Sequence, residues 1–175
     1  MKKVGIAIAI TALFALIGVF TYAALNNSAN VVKTAQSAPS TVSEQPKPPT
    51  RPELLTLVNA ERKKYGAKPL VIDERLNKSA QRKSDEMYAE NRYKHINKAG
   101  IHGYQYAKEA MPKCNIVSEN YYYSNYDITA DNAFDTWYQS KPHIAAIRDK
   151  MYQYTGFGIT YKNGQLITVE HFCQI

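Results

Sequence analysis

Lys2 and Lys3 are followed by twenty-two residues, Val4 to Leu25, that carry no formal charge. No other feature constrains the chain so strongly. At about 1.5 Å of rise per residue the run reaches roughly 33 Å as a helix, enough to cross a hydrocarbon core of about 30 Å. Lysines ahead of such a run stay on the inner side, which sends everything after it outward. The reading adopted is an uncleaved signal-anchor, a transmembrane helix over 1–25 that places the chain on the outer face of the cytoplasmic membrane. The competing reading is a signal peptide cleaved near Thr21 and Ala23, against which stands an apolar run longer than a usual signal core. Either way, whatever folds must do so outside the cytoplasm.

Residues 26–50, NNSANVVKTAQSAPSTVSEQPKPPT, hold no aromatic residue and no apolar period. Such a stretch cannot bury enough apolar surface to offset the entropy of ordering it, so it reads as a flexible Ser/Thr/Pro-rich linker. Residues 51–175 remain for one domain, with one hydrophobic core. The whole chain has a formal charge of +7, but residues 51–175 hold eighteen basic and fourteen acidic side chains, a balance of +4. The charges are interspersed, as in ERKK at 61–64. They make a solvated surface with at most a weak pull on anionic wall polymers or lipid headgroups, and no motif supports nucleic acid. Cys114 and Cys173 are the only cysteines. In an oxidising compartment they pair as one disulfide, worth about 4 kcal/mol in chain entropy for a loop of this length.

Local patterns give an α+β order. Pro52 suits the first turn of a helix running to about Tyr65, with Leu54, Leu55 and Val58 on its apolar stripe. Asp73 can cap a second helix to about Asn91, where Leu76, Ala80, Ser84 and Met87 recur on one face. The pattern breaks from Arg92 to Gly103, a short helix spans about Tyr104 to Met111, and 115–124 reads as a strand carrying SENYYYS. Helices follow from Thr129 to Gln139 and from Pro142 to Arg148. Alternation through TGFGITY, a turn at Asn163-Gly164 and the return run QLITVEHFC mark a closing hairpin. The fold expected is α+β, a three-layer α-β-α sandwich on a short antiparallel sheet.

On these residues the chain resembles the CAP superfamily, the cysteine-rich secretory, antigen 5 and pathogenesis-related proteins, and above all its SCP-like bacterial-type domain. LLTLVNAERKKYGAKPLVIDERLNKSAQRKSDEMYAENRYKH is similar to that family's first two helices and first-histidine loop. SENYYY resembles its Gly-Glu-Asn-Ile segment, WYQSKPHIAAI its Trp-x-x-Ser-x-x-His element, and GFG with VEHF its paired closing strands. The resemblance covers about residues 53–174. It implies an open central groove whose cavity histidines fall on His95 and His143, with the central glutamate on Glu119. It also implies a weak site for zinc or another divalent metal on His95 and His143. Three departures matter: Ser118 and Pro142 stand where glycines are usual, and no acid follows His95 through Lys108. The incomplete polar set weakens any hydrolase reading.

The residues alone do not bring His95, Glu119 and His143 together, because 24 positions separate each from the next. If they converge, two imidazoles can hold zinc weakly, and Glu119 can bind metal, orient water or fix an imidazole tautomer. His102 either lines the same cavity or faces solvent. Glu170 and His171 point to opposite sides of their strand, so one of the two faces the groove. Tyr121 and Tyr123 share a face that can line a groove or pack in the sheet, with Tyr122 on the reverse. The function expected is a surface-tethered binding module for a cell-wall component, a lipid or a partner surface protein. The alternatives are a secreted zinc-dependent, peptidase-like hydrolase, or a structural envelope or stress protein with an idle groove.

Overall fold

The computed structural model of this chain describes residues 46–175. Thr50 opens the first helix with a capping box. Its side chain accepts from the Glu53 backbone N–H, and the Glu53 carboxylate accepts from the Thr50 backbone N–H. From there the elements run α1 (Arg51–Lys64), β1 (Val71–Ile72), α2 (Glu74–Glu90), α3 (Gly103–Ala110) and β2 (Ile116–Ser124). They continue with α4 (Ala130–Gln139), α5 (Lys141–Arg148), β3 (Tyr154–Lys162) and β4 (Gln165–Gln174). Asp73 caps α2 through the Arg75 N–H, and Thr129 caps α4 through Asn132, as the sequence pattern anticipates.

The sheet order is β1-β3-β4-β2. β1 lies parallel to β3, while β3–β4 and β4–β2 are antiparallel. β4 is therefore central and β2 forms an edge. One face of the sheet carries Phe157, Leu166 and Phe172 against Leu54 and Val58 of α1, Trp137 of α4 and Ile147 of α5. The other carries Ile167, Val169 and Cys173 against Leu76, Ala80 and Met87 of α2 and Ala107 of α3. Each buried Val, Leu, Ile, Met or Phe side chain among them stabilises the fold by about 1.5–3 kcal/mol. Helices on both faces make the expected α-β-α sandwich, whose sheet is antiparallel except for the β1–β3 pair. α2 sits unusually close to β3. A Cβ on Gly158 would lie 2.1 Å from backbone atoms of Ala80, so the GFG sequence is what lets helix and strand backbones touch.

Three anchors fix the layers. Arg62 is fully buried, and its guanidinium donates to the carbonyls of Lys68, Ile147, Asp149 and Tyr152. The Trp137 indole donates to the Tyr121 carbonyl, covering part of the β2 edge. Cys114 and Cys173 are joined in a disulfide, which ties the segment before β2 to the end of β4.

One expectation needs correction. Among the described residues no helix is long and apolar enough to cross a membrane. The longest, α2, has 17 residues and carries charges along its length. The transmembrane helix, the membrane partnership and the membrane-face localisation read from the sequence therefore have no counterpart in residues 46–175. The run 4–25 and the linker to residue 45 lie outside the described residues.

Candidate functional site

His95 stands in the loop between α2 and α3, and that loop is organised by Asn97. The Asn97 side chain accepts from the Ile101 N–H and donates to the Glu86 carboxylate. The Tyr106 hydroxyl donates to the same Glu86 oxygen, and the buried Lys83 ammonium lies 3.2 Å from the other. Ile96 and His102 pair as an isolated bridge, and the Gly103 N–H donates to the His95 carbonyl. The result is a closed loop that holds His95 with its side chain 46% exposed.

Glu119 comes up from β2 on the α2/α3 face, directly across the strand pair from His171 of β4. Its side chain is only 2% exposed. Oε1 lies 2.8 Å from His95 Nδ1, and Oε2 lies 2.9 Å from His171 Nε2. Burial pushes the carboxyl up, but the hydrogen bonds and charges of His171 and His95 outweigh it, and the group titrates below its ordinary value. Ionised Glu119 is an acceptor only, so both imidazoles donate to it. His95 therefore carries its shared proton on Nδ1, and in the neutral ring the lone pair lies on Nε2. Behind His171 the chain of contacts continues to Ser79, whose Oγ is 2.8 Å from His171 Nδ1 and 2.9 Å from the Leu76 carbonyl.

His143 arrives from the opposite layer, on α5, and the Asn120 side chain donates to its carbonyl. Its ring centroid is 6.2 Å from that of His95, and Tyr121 completes the group at 4.8 Å from His95 and 6.3 Å from His143. These side chains thus flank the edge strand, with one imidazole from each helical layer. His143 Nδ1 is buried without a hydrogen-bond partner. Burial, and then the His95 charge, move the ring below its ordinary pKa, which keeps it neutral. His102 does not join this group: it precedes α3 and stacks on Tyr104 at 5.1 Å.

Of the two closing-strand residues left open by the sequence, His171 faces Glu119. Glu170 faces the α1 layer, with the Thr155 hydroxyl 3.0 Å from its Oε1. Three contributors carried no prior assignment: Ser79, Gly103 and the pairing of His171 with Glu119. The register between β2 and β4 would have exposed the last of these, but it is set by a non-local pairing with no turn to read.

The donor set suits an open, weak metal site and not a closed one. The His95 ring, oriented by Glu119, keeps a lone pair on Nε2, and Nδ1 of His143 is unpartnered though buried, so the two imidazoles could hold a metal only weakly. Among the described residues no group of three His, Cys, Asp or Glu side chains converges as a cage. A separate concavity of about 440 Å³, lined by Lys47, Glu53, Thr56, Leu57 and Asp131, lies at the start of α1 and α4. It contains none of the histidines, and its glutamate is spent on the α1 cap.

The family model described as "CAP: Cysteine-rich secretory protein family" matches residues 55–174. The uncharacterized protein YkwD of Bacillus subtilis is 31% identical over 131 residues, covering 75% of this chain and 48% of its own length. The chain therefore spans about half of that relative. Among solved structures, an outer surface protein from Borrelia burgdorferi superposes with a TM-score of 0.65 at 19% identity, covering 71% of this chain and 94% of its own. The crystal structure of NaASP2 with Zn2+ superposes at 0.52 and 12% identity, covering 70% and 77% respectively. At these identities the superpositions establish the fold.

Proposed function

This chain belongs to the cysteine-rich secretory protein (CAP) family, and from that premise we propose that residues 51–175 form an extracellular binding module whose ligand seats at the β2-edge cleft. The ligand class is a cell-wall component, a lipid or a partner surface protein. His95, His143 and Tyr121 supply the contact surface, and Glu119 sets the orientation of His95.

The observation that carries this reading is the double clamp on Glu119. Both carboxylate oxygens already accept from imidazoles, and the group is almost completely buried. A carboxylate that activates water needs a free oxygen facing the reacting atoms. Glu119 is spent on holding His95 and His171 and has no oxygen left to activate a water itself. His95 and His143 also form a weak divalent-metal centre on this reading, consistent with the relative whose structure holds Zn2+. A metal bound there would supply a Lewis-acidic point for a ligand oxygen, with water or the ligand completing its shell.

The test is a screen of the full chain against wall-polymer fragments, lysolipids and peptides, with and without zinc. Saturable binding that is lost in His95→Ala and His143→Ala, with no turnover, is the expected result. Metal-dependent turnover that disappears with either histidine and with Glu119→Gln would replace the module by an enzyme.

A further inference from the structure

Gly103 is the first residue of α3, and the Glu119 carboxylate lies against it. A Cβ at this position would stand 1.6 Å from Oε2, 2.5 Å from Cδ and 2.8 Å from Oε1 of Glu119. Neither side can give way cheaply. The carboxylate is held by His95 through one oxygen and by His171 through the other, and it is enclosed. The Gly103 backbone is held as well. Its N–H donates to the His95 carbonyl at 2.9 Å, and the bridge between Ile96 and His102 closes the loop just before it. All three carboxylate atoms stand closer than 3.0 Å to that Cβ, so any side chain at 103 displaces the whole carboxylate and breaks its hold on both His171 and His95.

We propose that Gly103 is the positioning residue of the cleft: its bare Cα seats the Glu119 carboxylate, fixing His95 as the Nδ1–H tautomer with the Nε2 lone pair turned outward. A site that offers a lone pair there selects a ligand presenting a hydrogen-bond donor or a metal ion, and disfavours a bare acceptor. This last step rests on the cleft being the binding site. The seating of Glu119 does not.

The experiment uses the full chain with 15N-labelled histidine, recorded above the pH at which imidazole titrates, for wild type, Gly103→Ala, Glu119→Ala and the double variant. In the wild type, His95 reports a protonated Nδ1. In Gly103→Ala its ring nitrogens move to the Nε2–H pattern of an unconstrained neutral imidazole, as they do in Glu119→Ala. Gly103→Ala also lowers the urea midpoint in the wild-type background. It leaves the midpoint unchanged in the Glu119→Ala background, where the methyl group occupies the vacated space. An unmoved His95 spectrum in Gly103→Ala, or an equal midpoint loss in both backgrounds, overturns the proposal. If Gly103→Ala does not fold, the double variant decides: a folded double variant supports the seating role, and an unfolded one assigns Gly103 to the packing of α3 alone. Intact tautomer control together with zinc binding indifferent to His95 would leave the seating role standing and remove the binding reading.

Discussion

Replacing Glu170 by Gln should make the stability of this protein markedly less sensitive to pH. Glu170 is fully buried on the α1 face of β4, its Oε2 has no hydrogen-bond partner, and burial pushes its carboxyl up to about 8, against partial relief from Thr155, Arg62 and Asn120. An acid whose pKa is raised on folding contributes its full stability below the unfolded value of 4.5, and that contribution is lost as pH rises towards the folded value. Each pH unit inside this window is worth about 1.4 kcal/mol, so the wild type loses roughly 2 to 3 kcal/mol at Glu170 between pH 5 and pH 7. Gln keeps the shape and does not titrate. Urea unfolding of both proteins at pH 5 and pH 7 isolates the effect, because other groups cancel in the difference. Relative to Glu170→Gln, the wild type should be destabilised by about 2 to 3 kcal/mol more at pH 7 than at pH 5. A stability difference that is flat across this range would show that Glu170 is solvated or paired in the native state, and the argument from burial would fail.

Glu119→Gln should cost about 1 to 3 kcal/mol at neutral pH by removing an ionised acceptor from two imidazoles. The folded pKa of Glu119 lies below 4.5, so its contribution is present above that value, and the cost should shrink as pH falls through the folded value in acid unfolding curves. Arg62→Met should cost roughly 3 to 5 kcal/mol in urea, because four carbonyls lose their shared donor. Reduction of Cys114–Cys173 should lower stability by at most about 4 kcal/mol, measured as a midpoint shift with and without dithiothreitol. Unchanged midpoints under reduction would mean that the closed loop stays compact when unfolded.

The closing hairpin was legible because its turn and alternation are local, and α1, α2 and α4 because their caps and apolar periods are local too. The resemblance placed His95, Glu119 and His143 in one cavity, and the structure does bring these three residues to one sheet edge. What could not be read is how they are held. His171 meets Glu119 only through the β2–β4 pairing, and Gly103 matters only because a carboxylate from a distant strand lands on it. The two-residue β1 and its parallel pairing with β3 gave no periodic signal, since Leu70 and Ile72 show only that the segment approaches the core. The apolar run at 4–25 reads strongly as a span in sequence, but the described residues carry no such element.

The measurement that bears most directly on the cleft is a calorimetric titration of the full chain with zinc at neutral pH, beside the His95→Ala/His143→Ala double variant. Neutral imidazole is the ligand form, so affinity should also fall as pH drops and the rings take up protons. Weak, saturable binding is expected in the wild type, a reduced affinity in either single variant, and no specific binding in the double variant, which keeps its fold. Identical zinc binding by the wild type and the double variant would contradict that expectation.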